Sequence, residues 1–242
     1  MKNLLVIGGG TGIGLGAAEQ FLQHGYRVVI AGRRESVLAD AVTSLKADDD
    51  TLPVWGRTVD VADRESVVEL VRWATETLGQ IDVVINAAGM NIKNRTMLDM
   101  QPEQWDQILA INATGVYNVL WAVLPQMRDR QDGLVINISS IAGKRAANLA
   151  GIAYCGSKFA ATGLGTAVGL EEAHRGIRIT NVYPGEVETP LLDQRPAPVS
   201  EERRRTMLQP SDIASVLYSI AELPARAHVP ELVIKPTVQD YA

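Results

Sequence analysis

Residues 4–21 read LLVIGGGTGIGLGAAEQF. A short apolar run at residues 4–7 gives way to six glycines within nine residues, and a helical pattern follows without pause. Bare backbone between a strand and a helix has a physical use. The first N–H groups of a helix are unpaired and its dipole favours negative charge, so such a turn suits a phosphate. Glycine serves there because a Cβ would hold the ligand away and because tight turns need positive φ. The common spacing G-x-G-x-x-G fits in no frame; what fits is Gly8-x-x-x-Gly12-x-Gly14. A single glycine-rich turn is often only a tight connection, but six glycines at the first turn argue for a ligand.

Working outward, short β-branched runs recur at residues 27–31, 53–58, 82–85, 134–138, 177–182 and 232–234. Nearly all lack polar alternation, as strands buried on both faces do. Residues 17–23, 36–45, 66–78, 105–127 and 158–174 repeat at helical period. The alternation predicts an α/β fold: one Rossmann-type domain over residues 1–242, a doubly wound parallel sheet of about seven strands with helices on both faces. The charge run ADDD at residues 47–50 reads as a solvated loop. Residues 184–210 are expected to be the longest irregular segment, of a length that usually carries function or a lid.

The bulk properties narrow the class. The 242 residues are 46% hydrophobic and 21% charged, enough for a sizeable core. A net charge of -5 argues against a general binder of nucleic acid or anionic membrane. One cysteine, Cys155, allows no disulfide framework, and His24, His174 and His228 match no metal-ligand spacing. The start MKNLLVIGGG is too short for a signal peptide's apolar region, and no apolar run approaches the ~20 residues of a membrane span. The expectation is a soluble protein of a reducing compartment, the cytoplasm, with no metal.

Further motifs follow in order: Asp60-Val61 after the third strand, Asn86-Ala87-Ala88-Gly89 after the fourth, Asn112 in AINATG, NISS at residues 137–140, Tyr154-Cys155-Gly156-Ser157-Lys158, and Pro184-Gly185…Thr189. With the glycine turn they resemble the short-chain dehydrogenase/reductase family, whose turn reads T-G-x-x-x-G-[IVL]-G, over almost the whole chain. Ile7 stands where the family usually has threonine, which removes a hydroxyl and leaves the phosphate cradle intact. The resemblance implies a nicotinamide dinucleotide. Its contacts would be Gly8, Gly10, Thr11, Gly12, Ile13, Gly14, Arg33, Arg34, Asp60, Val61, Asn86, Ala87, Ala88, Gly89, Tyr154, Lys158, Pro184, Gly185, Val187 and Thr189. Asp60-Val61 would meet the adenine, and Val187 and Thr189 the nicotinamide amide. Glu186 and Glu188 read as solvated loop charges.

Arg33 and Arg34 follow the second strand, with Gly32 where NAD-specific folds place a carboxylate for the ribose hydroxyl. Guanidinium suits a 2′-phosphate, so NADP(H) is favoured over NAD(H). Tyr154 and Lys158 are four residues apart, one turn apart on one helix face. A phenol is a poor base near neutrality, and an adjacent ammonium is expected to lower its pKa. By resemblance Tyr154 is the acid/base and Lys158 also holds the nicotinamide ribose. Ser140 would bind the substrate oxygen, and Asn112 would support a water joining Lys158 to solvent. Ser140 is chosen over Ser139 because it is second in ISS, although it lies fourteen residues before Tyr154 where relatives have thirteen.

The reading is an NADP(H)-dependent enzyme interconverting a secondary alcohol, or hydroxy acid, and its carbonyl. A non-catalytic NADP(H)-binding regulator of the same fold is the alternative. A nucleotide-sugar epimerase or dehydratase fits less well, lacking the G-x-x-G-x-x-G turn and the longer chain. The C-terminal run resembles the 3-hydroxy acid dehydrogenase and carbonyl reductase branch, whose tails end in P-x-x-Q-x-Y. Relatives pair the helices after the fourth and fifth strands, which implies a homodimer or homotetramer. Lys93, Arg95, Lys144, Arg145 and Arg195 sit in segments expected around the substrate. Either they are solvated, or one of them pairs with a substrate carboxylate.

Overall fold

All seven apolar runs enter one parallel sheet in the computed structural model, which describes residues 1–240. The strands are β1 (Asn3–Ile7), β2 (Arg27–Gly32), β3 (Val54–Thr58), β4 (Val83–Asn86), β5 (Gly133–Ile138), β6 (Ile177–Pro184) and β7 (Glu231–Ile234), in the order β3-β2-β1-β4-β5-β6-β7. The crossovers carry α1 (Gly12–Gln23), α2 (Glu35–Leu45), α3 (Arg64–Leu78), α4 (Pro102–Leu109), α5 (Gly115–Arg130), α6 (Ile152–Glu172), α7 (Glu201–Arg204) and α8 (Pro210–Ala221). Tyr241, the last residue of the expected tail pattern, lies outside the described residues.

Every residue of β1 is buried. Successive side chains of a strand point to opposite faces. Leu4 and Val6 therefore pack with Phe21, Leu38 and Leu217 of α1, α2 and α8, while Leu5 and Ile7 pack with Leu70, Val119 and Met127 of α3 and α5. Each such side chain contributes roughly 1.5–3 kcal/mol by leaving water. Two apolar faces leave no room for polar alternation, which explains the continuous runs. The edge strands depart from that expectation. Gly56, Arg57 and Thr58 of β3 are exposed, and β7 alternates between exposed and half-buried residues. A strand with a neighbour on one side only is less covered, and a charge there discourages pairing with another chain.

Three helical details also differ from the periodicity. Residues 105–127 are not one helix: α4 starts earlier, at Pro102, and a π-helical turn, Ala110–Thr114, separates it from α5. The widened turn carries Asn112, and such turns occur often at functional sites. α6 begins at Ile152 rather than Lys158, after Gly151 (φ +84°) turns the chain into it. Residues 184–210 are not irregular throughout, since a 3₁₀ turn, Pro190–Gln194, and α7 lie within them. The run Pro102–Arg130 is long and apolar enough to cross a membrane, yet Val119, Leu120 and Val123 on it are buried against the sheet.

Because β1 pairs with β2 on one side and β4 on the other, the connections leaving β1 and β4 diverge. A crevice opens there at the carboxyl ends of the strands, where ligands of open α/β sheets bind.

Candidate active site

The chain leaves β1 into that crevice through backbone that only glycine permits. Gly8 has φ +83°, and a Cβ on it would stand 2.7 Å from the Ala87 backbone at the exit of β4. Its N–H donates to the Ala31 carbonyl at 2.7 Å, which ties the turn to β2. A Cβ on Gly14 would overlap the Gly8 carbonyl oxygen. This close turn delivers the N-terminus of α1 to one end of a cleft of about 780 Å³. Ile7, in place of the family's threonine, is fully buried in the core.

Gly10, Thr11, Gly12, Ile13, Val61, Ala87, Ala88, Gly89, Pro184, Gly185, Val187 and Thr189 line the same cleft. Arg33 and Arg34 stand exposed at its rim beyond β2, and neither forms an ion pair among the described residues. A Cβ on Gly32 beside them would meet only the Leu38 side chain, at 3.8 Å. Three of the expected residues are not on the cleft surface. Asp60 is exposed outside it, where its Oδ1 accepts from the Ala62 N–H at 2.9 Å. Asn86 and Asn112 are buried beneath it.

At the other end of the cleft, α6 places Tyr154 and Lys158 on the wall. The Lys158 Nζ lies 5.6 Å from the centroid of the Tyr154 ring and donates to the Ile138 carbonyl at 2.9 Å. Burial pulls the Lys158 pKa down to about 8. Burial also raises the Tyr154 pKa, opposed in part by a hydrogen bond with the Ser140 hydroxyl. This corrects the expectation that Lys158 lowers it. The ammonium is turned to a backbone carbonyl, and dense surroundings penalise a phenolate more than that distant charge favours it.

Ser140 sits at the end of β5, where its oxygen also accepts from the Ala142 N–H at 3.1 Å. Ser139 turns the other way, toward the Lys158 carbonyl at 3.4 Å and the Thr162 hydroxyl at 3.2 Å. Of the two, Ser140 is the one brought to the tyrosine. Asn112 acts as a buried clamp. Its Oδ1 accepts from the Met90 N–H at 2.8 Å, and its Nδ2 donates to the Met90 carbonyl at 2.9 Å and to Ser157 at 3.1 Å.

The sequence reading missed the role of Glu186 and Glu188. Glu186 is not a solvated charge: Arg195 lies 2.7 Å away and Arg203 2.9 Å away, while Glu188 pairs with Arg204. These pairs tie residues 195–204 to the end of β6. The arginine-rich stretch after two glutamates was the available signal. Lys144 pairs with Glu231 of β7 at 2.6 Å, Lys93 is exposed away from the cleft, and Arg95 is buried in its wall.

A family model described as short chain dehydrogenase matches residues 2–199. The chain belongs to that family. Over 235 residues it is 32% identical to an uncharacterized oxidoreductase of Staphylococcus saprophyticus, covering 97% of both proteins. The short-chain dehydrogenase fold here is also similar to an actinorhodin polyketide ketoreductase variant solved with NADPH, at 30% identity and TM-score 0.87, covering 96% of this chain and 94% of that one. An alcohol dehydrogenase from Thermococcus sibiricus, solved with 5-hydroxy-NADP, matches at 25% identity and TM-score 0.87, covering 99% of this chain and 98% of that one. This short-chain dehydrogenase is thus an oxidoreductase by family.

Proposed function

We propose that the protein is an NADP(H)-dependent oxidoreductase that interconverts a secondary alcohol, or hydroxy acid, and its carbonyl, acting as a single domain over residues 1–242 in the cytoplasm. One observation carries the reading: Tyr154, Lys158 and Ser140 meet on the wall of the cleft whose far end is the glycine turn and the N-terminus of α1. The cleft of about 780 Å³, with the glycine turn and the N-terminus of α1 on its wall, has room for a dinucleotide, and glycine at 8 and 14 lets that turn pack against the exit of β4 and against itself. Arg33 and Arg34 would take the 2′-phosphate, and the α1 N–H groups the pyrophosphate. When bound, the nicotinamide supplies or accepts the hydride.

The chain's own residues handle the proton. Tyr154, a phenol that is protonated at neutral pH and that burial holds further from ionising, gives its phenolic proton to the carbonyl oxygen in reduction and takes it back in oxidation. Ser140 donates a hydrogen bond to the same substrate oxygen, which steadies the charge that develops there. Lys158, whose pKa of about 8 lies near working pH, favours the transient phenolate and can return its proton. Asn112 fixes residue 90 and α6 relative to one another, which keeps this end of the cleft rigid.

The test is carbonyl-dependent oxidation of NADPH over a panel of ketones, with NADPH binding followed by fluorescence. Tyr154→Phe is expected to lower kcat by about 10²–10⁴ while NADPH affinity changes little. Turnover by Tyr154→Phe near the parent rate would overturn the proton-transfer assignment. Tight NADPH binding by the parent with no turnover across the panel would favour the non-catalytic regulator.

A further inference from the structure

We propose that Arg95 is an anion subsite that selects substrates carrying a carboxylate close to the reacting carbonyl. The inference rests on the hydride-transfer reading above and names the substrate class of that site. Arg95 is only 5% exposed, yet it lines the cleft. Its Nε donates to the Ile92 carbonyl at 2.8 Å, one terminal nitrogen to the Leu149 carbonyl at 2.6 Å, and the other to the Gln194 carbonyl. Those partners come from three separate segments of the chain, all lining the cleft. All three are neutral, and no carboxylate forms a salt bridge with Arg95 among the described residues.

A guanidinium carries five N–H donors, so this arrangement leaves two without an acceptor among the described residues. Buried charges are ordinarily paired with an opposite charge, because the interior solvates them poorly. Here a neighbouring charged group is another cation, Arg195, whose repulsion adds to burial in disfavouring the Arg95 charge. Arg195 is itself engaged by Glu186, and Lys144 by Glu231. The Ile152 N–H, two residues before Tyr154, donates to the Arg95 carbonyl at 3.1 Å, and both side chains line the cleft, so an anion on the guanidinium shares that cleft with the group that handles the proton. A short 3-keto or 3-hydroxy acid fits that juxtaposition, its carboxylate meeting the planar fork of Arg95 while its carbonyl meets Tyr154 and Ser140. The same three hydrogen bonds would serve a purely structural clasp, and the two roles differ in what they do to substrate charge.

The experiment compares acetoacetate with methyl acetoacetate, a pair differing in the charge. For the parent, kcat/KM with NADPH is expected to favour the acid at least tenfold, mainly through KM. In Arg95→Gln that ratio is expected to fall at least tenfold, with Arg95→Lys recovering part of it. A parent that prefers the ester, or an Arg95→Gln protein that loses activity on both alike and keeps the ratio, overturns the subsite. If Arg95→Gln does not fold, the parent ratio and inhibition by matched acid and amide analogues still decide. If neither compound is reduced, the hydride-transfer reading is what has failed for this pair, and thermal shift with NADP+ present separates the two. Greater stabilisation by acetoacetate than by its ester supports the subsite, and equal or smaller stabilisation overturns it.

Discussion

Lys158 is held at about 8, whereas an unfolded chain titrates lysine near 10.4. Between those values the unfolded state binds more protons, so this group makes the protein more stable as pH rises through that window. Below pH 8 the full penalty of the buried charge stands, on the order of 3 kcal/mol. Lys158→Met removes the penalty and also orphans the Ile138 carbonyl, which offsets about 1–2 kcal/mol. In urea melts at pH 7 without nucleotide, the variant is expected to be about 1–2 kcal/mol more stable than the parent, with the difference reversing sign by pH 10.5, where the charge penalty has gone and the orphaned carbonyl remains. A variant less stable at pH 7 would contradict the buried charge. The cofactor preference also lives at this scale. Gly32→Asp with Arg33→Ser has room for the new side chain and is expected to lower the NADPH-over-NADH affinity ratio at least tenfold. A lost charge-assisted bond alone accounts for about 1.5–3 kcal/mol. Equal affinities of the unmodified protein for the two would defeat the premise. The glycine spacing was legible in the sequence because it answers a local backbone demand. The direction of the Tyr154 pKa was not, because it depends on burial and on a lysine turned toward Ile138, twenty residues upstream.

Among the elements, α5 and α6 are joined by a charge. Glu172, at the end of α6, is fully buried and lies against two arginines. Arg128 of α5 grips it with two nitrogens, at 2.6 and 3.0 Å, and Arg175 lies 3.3 Å away. The Arg128 hydrogen bond, more than any other cause, holds the Glu172 carboxyl below its usual range. A depressed carboxylate contributes stability that is present above its unfolded pKa of ~4.3 and lost as pH falls through the lower folded value. Glu172→Gln is therefore expected to cost about 1–2 kcal/mol at pH 7, reduced by solvent screening of Arg128, with the deficit closing below about pH 4. A deficit independent of pH would assign the effect to packing. Element identity was readable wherever the two faces of the sheet impose one pattern, as in β1 and β2. It failed where a tertiary constraint intervenes. The π turn at Asn112 and the early start of α6 after Gly151 leave no periodic trace, and the edge position of β3 is set by strand order alone.

At the scale of the molecule, Trp105, Tyr117, Trp121 and Phe159 remain 40–51% exposed on α4, α5 and α6. A surface so rich in large aromatics suits contact with another protein. A homodimer or homotetramer built on these helices is expected by light scattering at micromolar concentration. A mass equal to the 26.2 kDa chain would reject it. Trp121→Glu with Phe159→Glu is expected to shift the assembly toward single chains. The strand order has one more consequence, for the birth of the protein. β1 sits at the centre of the sheet, but its second neighbour, β4, is encoded some fifty residues after β2 ends. At the usual pace of synthesis that interval lasts on the order of 3–10 s. Throughout it, a nascent β1–β2 pair that is apolar on both faces presents an open edge, so the ribosome-bound chain is most dependent on chaperones before Asn86 emerges.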